Sequence, residues 1–172
     1  MNAIETVDII IAEAKQRLTL RSAGPGGPKC GSAMRELAIV ENGAVAARDG
    51  RIVKVGRTED VLRECRLAPD GELVRASGRV VMPGFVDCHT HAVFAGKRAE
   101  EFEARLAGHT YQEIAAAGGG IRSSVRAFRE SSRETIRDEG AQRLDKMLQM
   151  GTTTVEIKSG YGLSTADEIK AL

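Results

Sequence analysis

The sequence predicts an α/β protein. A β-rich first part, residues 1–79, is followed by the first strand–helix units of a parallel (β/α)8 barrel in residues 80–172. Two observations support this prediction: short strands separated by turns fill the first part, and the order strand, helix, strand, helix fills the second. A third observation limits it, because a closed eightfold barrel takes about 250 residues. We therefore expect the barrel to be incomplete in this chain.

One β-hairpin dominates the first part. Residues 44–48 and 51–56 are strand-like runs on either side of Asp49-Gly50, a pair that favours the type I′ turn. The other elements predicted here are, in chain order, a strand at 7–11, a Gly/Pro-rich loop at 24–28, a short capped helix at 58–63 and a strand at 71–75.

The second part opens with an apolar run at 80–88, which predicts a buried strand ending in a polar loop. The strongest helix of the chain is predicted at 131–150, where apolar residues such as Ile136 recur on one face and Gly151 follows as a C-cap. The remaining predicted elements are a short helix at 111–115, ended by the glycines at 118–120, a strand at 152–158 and a helix that opens at 165–168.

Composition excludes several classes of partner. The 25 Lys and Arg residues nearly balance the 24 Asp and Glu residues, which argues against a nucleic-acid partner. No apolar run is long enough to span a membrane, and the N-terminus lacks the features of a signal peptide. Cys30, Cys65 and Cys88 form no Cys-x-x-Cys motif. Free thiols in a reducing compartment are the simplest interpretation, so we expect a cytoplasmic protein.

The segment His89-Thr90-His91 ends the predicted strand at 80–88. Residues i and i+2 of a strand point to the same face, so the two imidazoles would leave the strand end side by side. Paired imidazoles are typical transition-metal ligands. The alternative is two satisfied core histidines, but a strand-to-loop transition is where sites are commonly built, which favours metal binding. Asp87 either orients a ligand or caps the strand end.

Other polar residues each have two interpretations. Glu156 and Lys158 share one face of the last strand, either as site residues inside a barrel or on a solvated face. Arg98 either clamps a carboxylate or lies on the surface. Tyr161 lies between two glycines that let the backbone bend and present its phenol. His109 precedes a short helix, where an exposed loop histidine is the more typical case.

Several of these segments together resemble one family. Residues 81–91 resemble the first-strand signature of the amidohydrolase superfamily, and residues 48–56 resemble the hairpin of its small β-sandwich domain. Residues 91–98, 116–121 and 155–163 narrow the resemblance to the imidazolonepropionase family, and the last segment is the most specific. The resemblance implies a composite small β-sandwich domain followed by an amidohydrolase-type barrel.

The resemblance also implies roles for particular residues. His89 and His91 match two ligands of a single divalent or trivalent metal ion, which is zinc or iron. Arg98 matches the residue that binds the substrate propionate, whereas Tyr161 and Tyr111 match tyrosines of the substrate pocket. The implied reaction is metal-dependent hydrolysis of 4-imidazolone-5-propanoate to N-formimidoyl-L-glutamate in histidine degradation. The implied assembly is a homodimer.

The family's remaining metal ligands and its general acid/base residues are expected beyond Leu172. Two alternatives to an active enzyme therefore stay open. One is a non-catalytic truncated fragment, and the other is a different cyclic-amide hydrolase or deaminase of the same superfamily. Arg98 and the segment at 158–161 count against the second alternative.

Overall fold

The computed structural model describes residues 4–21 and 27–172. The chain divides into two compact units, Met1–Pro83 and Gly84–Leu172, which we call the N-terminal unit and the C-terminal unit. Residues 24–26 of the predicted Gly/Pro-rich loop lie outside the described residues. In the two described ranges, no helix combines the length and the apolar character that crossing a membrane requires.

The N-terminal unit is built on one sheet. Its elements are β1 (Glu5–Leu18), a 3-10 helix (Gly31–Arg35), β2 (Ile39–Arg48), β3 (Arg51–Arg57), α1 (Thr58–Glu64), β4 (Cys65–Arg75) and β5 (Val80–Val81). The strand order is β3-β2-β1-β4, and β5 also pairs with β1. Strand β2 is antiparallel to β1 and β3, whereas β4 and β5 run parallel to β1.

The predicted hairpin is confirmed as β2 and β3. Asp49 has φ 50° and Gly50 has φ 70°, and a type I′ turn requires positive φ at both central residues. One face of the sheet buries Val7 and Ile10 against Val61 of α1. This apolar cluster is the core of the N-terminal unit.

Strand β1 is longer than the strand predicted at 7–11. The polar residues that follow Ile11 interrupt the apolar pattern, which is why the prediction stopped there. In the structure Glu13 takes φ 63°, and the pairing with β2 shifts register between Ile11 and Ala14. This bulge keeps Ala12 and Ala14 buried, so pairing continues past the polar residues.

The C-terminal unit alternates strands and helices. Its elements are β6 (Phe85–Thr90), α2 (Ala99–Leu106), α3 (Tyr111–Ala116), α4 (Ile121–Glu130), α5 (Arg133–Gln149), β7 (Thr152–Ile157) and α6 (Thr165–Ala171). Strands β6 and β7 pair in parallel, as strands joined by helical crossovers do. The predicted α/β fold class is therefore confirmed, with the barrel incomplete.

The prediction of a single buried strand at 80–88 is wrong. Val80 and Val81 belong to β5, which pairs with β1 in the sheet of the N-terminal unit, whereas β6 begins at Phe85. Pro83 lacks a backbone N–H, so it interrupts a ladder of hydrogen bonds. Strand β6 is also exposed rather than buried, because its one paired neighbour in the described chain is β7 and parallel strands are buried only when both faces are covered.

Two helices were not predicted. Helix α2 buries no residue, and α4 buries only Ser124 and Phe128, so few apolar positions marked a buried face. Phe128 nevertheless lies at the centre of the C-terminal core, with Ala95 and Ile136. The helix predicted at 131–150 is confirmed as α5.

Candidate metal and substrate site

The two predicted metal ligands lie together at the end of β6. The ring centroids of His89 and His91 are 5.6 Å apart, with an angle of 63° between the ring planes. Both residues are exposed, so the interpretation as buried core histidines is wrong. The i, i+2 spacing thus places two imidazoles side by side and open to a ligand, as strand geometry requires.

Hydrogen bonds between the strand ends set the register around the histidines. The backbone N–H of Lys158 donates to the carbonyl oxygen of Thr90 at 2.8 Å, and Thr90 Oγ1 donates to the carbonyl oxygen of Glu156 at 2.8 Å. Asp87 Oδ1 accepts a hydrogen bond from the backbone N–H of His89 at 3.2 Å. Of the two interpretations of Asp87, the structure therefore shows the local cap, which involves the backbone of His89 and not its imidazole.

Tyr161 is brought to the histidines by a glycine-flanked loop. Its ring centroid lies 5.5 Å from that of His91, at an angle of 71° between the rings, and 5.9 Å from that of Phe94. Gly160 has φ 142°, and a Cβ atom there would lie 3.3 Å from His91 Cε1. The loop can approach the imidazole this closely because residue 160 has no side chain.

Arg98 is held by a carboxylate three residues later. Its Nε and Nη2 donate to Glu101 Oε2 at 2.9 and 2.5 Å. The other oxygen of Glu101 accepts hydrogen bonds from the Gly120 N–H at 2.9 Å and from Ser123 Oγ at 3.2 Å. The hydrogen bond to Glu101 raises the pKa of Arg98, and the same hydrogen bond lowers the pKa of Glu101. The guanidinium is therefore charged and fixed in orientation.

The two predicted tyrosines have different surroundings. Ionised Tyr111 and Tyr161 would raise the pKa of Arg98 after the larger effect of Glu101, but a tyrosine phenol is neutral near pH 7. Of the two, Tyr161 is the one that contacts a predicted metal ligand, His91. Tyr111 is exposed at the start of α3, where Thr110 and Glu113 form a capping box.

A cavity of about 460 Å³ lies beside Arg98. Glu101, Ser123 and His109 contribute to its lining, whereas His89, His91 and Tyr161 do not. His109 is exposed, as predicted, and its Nδ1 lies 3.9 Å from Glu113 Oε2. Arg98 therefore lies at an open cavity, and the histidine pair is not part of the lining of that cavity.

The donor set for a metal is partial. In residues 4–21 and 27–172, no group of three or more His, Cys, Asp or Glu side chains converges as metal ligands do. Glu156 and Lys158 form an ion pair with each other at 2.6 Å. Two adjacent imidazoles fit a transition metal chemically, but a catalytic metal site normally has three protein ligands and an open position.

Two residues of the site were missed by the sequence analysis. Glu101 has a sequence signal, because it lies three residues after Arg98 and the i, i+3 spacing on α2 brings them together. Arg143 has none. It donates from α5 to the backbone of the segment that follows His91, a contact between residues about fifty positions apart.

Comparison with known proteins gives a consistent result. No family model matches the chain. The imidazolonepropionase of Symbiobacterium thermophilum is 54% identical over 166 residues, which are 96% of this chain and 38% of that protein. The imidazolonepropionase of Solibacter usitatus is 52% identical over 165 residues, with the same two coverages. The chain is similar to imidazolonepropionases along nearly its whole length. It spans about two fifths of the length of these curated relatives.

Solved structures support the fold of this imidazolonepropionase-like chain. Escherichia coli guanine deaminase matches with a TM-score of 0.54 at 19% identity, and a triazine hydrolase variant matches with 0.55 at 18% identity. Each match covers 95% of this chain and 32% of the other. These neighbours support the predicted fold, with the barrel incomplete, and the two imidazolonepropionase matches confirm the resemblance predicted from the sequence. The roles of the individual site residues stay predictions.

Proposed function

We propose that this chain supplies two metal ligands and the carboxylate-binding residues of an imidazolonepropionase. The reaction is hydrolysis of 4-imidazolone-5-propanoate, a small-molecule substrate, to N-formimidoyl-L-glutamate. The observation that carries the proposal is the 54% identity to an imidazolonepropionase over 96% of the chain. The contacts among His89, His91 and Tyr161, and the ion pair that holds Arg98, support it.

The chemistry is the addition of water across a ring C–N bond. The oxygen of water bonds to the ring carbonyl carbon, the C–N bond to that carbon breaks, and the departing nitrogen takes up a proton. A zinc or iron ion bound by His89 and His91, together with ligands from outside this chain, would lower the pKa of a bound water and polarise the carbonyl.

Arg98 binds and orients the substrate in this proposal. Glu101 occupies its Nε and Nη2, and in the described part of the chain no hydrogen bond engages Nη1. That donor is directed to the propionate of the substrate. Because Glu101 fixes the guanidinium on one side, the anionic tail is held in a defined direction, and such positioning contributes to the rate of a hydrolysis.

Tyr161 and Tyr111 contribute phenol groups to substrate binding in this proposal. Tyr161 lies against His91, which places its phenol beside the proposed metal ligands. Tyr111 is the second tyrosine, exposed at the start of α3. We propose that both donate hydrogen bonds to polar groups of the substrate.

A second candidate is a non-catalytic fragment. It is favoured by one observation: two imidazoles are the whole converging donor set found in residues 4–21 and 27–172. A third reaction class, deamination or hydrolysis of another cyclic amide, has no observation of its own, because the deaminase and triazine hydrolase neighbours are under 25% identical and support the fold alone.

The test compares the chain alone with the chain plus a complementary polypeptide. The complement is the part of the Symbiobacterium thermophilum relative that this chain does not match. The loss of imidazolone absorbance is followed in the presence of zinc or iron. We expect turnover with the complement and none with the chain alone or with His89→Ala. Absence of turnover with a folded complex would favour the non-catalytic fragment, and turnover by the chain alone would contradict the partial ligand set.

Three further properties stay predictions. They are the choice between zinc and iron, the homodimer and the cytoplasmic location. Metal analysis of the purified chain after growth with each metal, its sedimentation behaviour, and cell fractionation test them in turn.

A further inference from the structure

We propose that Arg143 is a positioning residue of this site. It fixes the backbone that follows His91, and through that backbone it fixes the relative placement of His91 and Tyr161. The inference rests on the proposed function in one respect only, namely that these two side chains belong to the metal and substrate site.

Arg143 makes several contacts at once. Its Nη1 donates to the carbonyl oxygens of Ala92, at 3.1 Å, and of Phe94, at 2.8 Å. Its guanidinium carbon lies 3.6 Å from the centroid of the Phe94 ring, a cation–π arrangement. Its Nη2 donates to Glu139 Oε2 at 2.7 Å, one turn earlier on α5. The side chain is 24% exposed, so these interactions are partly shielded from solvent.

The segment that Arg143 holds has little other support. Residues 91–95 belong to no helix or strand. Within the described chain, no backbone-to-backbone hydrogen bond involves residues 91–97. Ala92 is nevertheless buried and Phe94 half-buried, and backbone carbonyls shielded from water require hydrogen-bond partners. Arg143 provides that partner for two carbonyls of the segment.

The contacts continue from this segment to the site. The Phe94 ring, stacked on Arg143, lies 5.9 Å from the ring of Tyr161. Tyr161 in turn lies 5.5 Å from His91, at the start of the same segment. The four side chains therefore form a closed circuit in which the guanidinium contacts both the backbone after His91 and the aromatic ring that supports Tyr161.

Arginine suits this position better than lysine. The planar guanidinium offers five N–H donors in a fixed fork and an aromatic-sized face for stacking. It can therefore bind two carbonyls, one carboxylate and one ring together. A lysine ammonium lacks the flat face and the fork, so Arg143→Lys keeps the charge while losing most of the geometry.

The experiment uses the full 172-residue chain and reads the site directly. The sequence has three histidines and two tyrosines, so ring signals in NMR spectra are few and assignable. Without metal, we expect Arg143→Met to lose the nuclear Overhauser contact between the rings of His91 and Tyr161, and Arg143→Lys to weaken it. The ring signals of His109, outside the circuit, should stay in place. The control is Arg137→Met on the same helix. The side chain of Arg137 is 74% exposed and pairs with Asp138.

Zinc titration gives a second measurement. Partners that orient metal ligands affect affinity by about 10- to 100-fold, and because Arg143 acts through backbone we expect about tenfold weaker zinc binding in Arg143→Met. Unchanged ring contacts and unchanged zinc affinity in folded Arg143→Met would overturn the proposal. If Arg143→Met does not fold, Arg143→Lys decides: a wild-type ring contact in it also overturns the proposal. If wild-type zinc binding persists in His89→Ala, the proposed function fails, while the metal-free ring contact still tests Arg143.

Discussion

The core of the C-terminal unit depends on one aromatic side chain. Phe128 is 0% exposed and packs with Ala95 and Ile136. Both of these side chains are smaller than the side chain of Phe128. Replacing a buried phenylalanine by alanine removes the transfer free energy of the ring and leaves a cavity, which together lower stability by about 3–5 kcal/mol. Small domains unfold with a free energy of only about 5–15 kcal/mol. We therefore expect Phe128→Ala to remove a large part of the stability of this unit.

Tyrosine fluorescence measures this effect in the C-terminal unit alone. The sequence contains no tryptophan and two tyrosines, Tyr111 and Tyr161, and both lie in residues 84–172. Urea titrations of wild type and variant, extrapolated linearly to water, give the change in the free energy of unfolding. The midpoint should fall while the slope with urea stays the same.

A matched control is present in the same unit. Phe102 on α2 is 63% exposed, so Phe102→Ala removes the same atoms without opening a buried cavity. We expect it to change the free energy of unfolding by less than about 1 kcal/mol, in line with surface substitutions. Equal losses in the two variants would refute the reasoning, because burial would then not determine the effect.

Three further predictions concern the site and the hairpin. Gly160→Ala should weaken zinc binding in a titration, since its Cβ would lie 3.3 Å from His91 Cε1; unchanged affinity would contradict the close approach. The hydrogen bond to Arg98 lowers the pKa of Glu101 from 4.5, so the stability from the ionised carboxylate is present above that value and is lost as pH falls through the lowered pKa. Glu101→Gln should accordingly reduce the acid sensitivity of thermal unfolding, and an identical pH profile would count against the ion pair. Gly50→Ala should lower the melting temperature by an amount equivalent to about 1 kcal/mol, because residue 50 has φ 70°, whereas Asp49→Asn should be nearly neutral.

The sequence predicted those parts of the fold that depend on residues close together in the chain. The hairpin turn was predicted from Asp49-Gly50, since few residue pairs tolerate positive φ at both positions. Helix α5 was predicted from its apolar face, and the parallel pairing of β6 with β7 from the order of elements. The break near Pro83 was missed because the apolar residues on either side look like one strand, although they pair in different sheets.

The candidate site was predictable where spacing along the chain is enough. His89 and His91 came from the period of a strand, and the resemblance to a family pointed to Arg98, Tyr111 and Tyr161. Glu101 was within reach of the same reasoning, had α2 been recognised. Arg143 was not, because its contacts with the 92–94 backbone depend on how α5 packs, and no pattern in the sequence records that packing.

The pairing of β6 with β7 has a consequence for the order of folding. Residues 91–151, with four helices, separate the two strands, so this pairing has high sequence separation and closes a long loop. Closing a flexible loop of that length costs about 4 kcal/mol in chain entropy, and contacts of this kind form after local ones. We therefore expect helices α2–α5 and the junction of α5 with β7 to form before β6 pairs with β7. We expect β6, which carries His89 and ends just before His91, to join last, so that the site takes shape only when the rest of the C-terminal unit is in place.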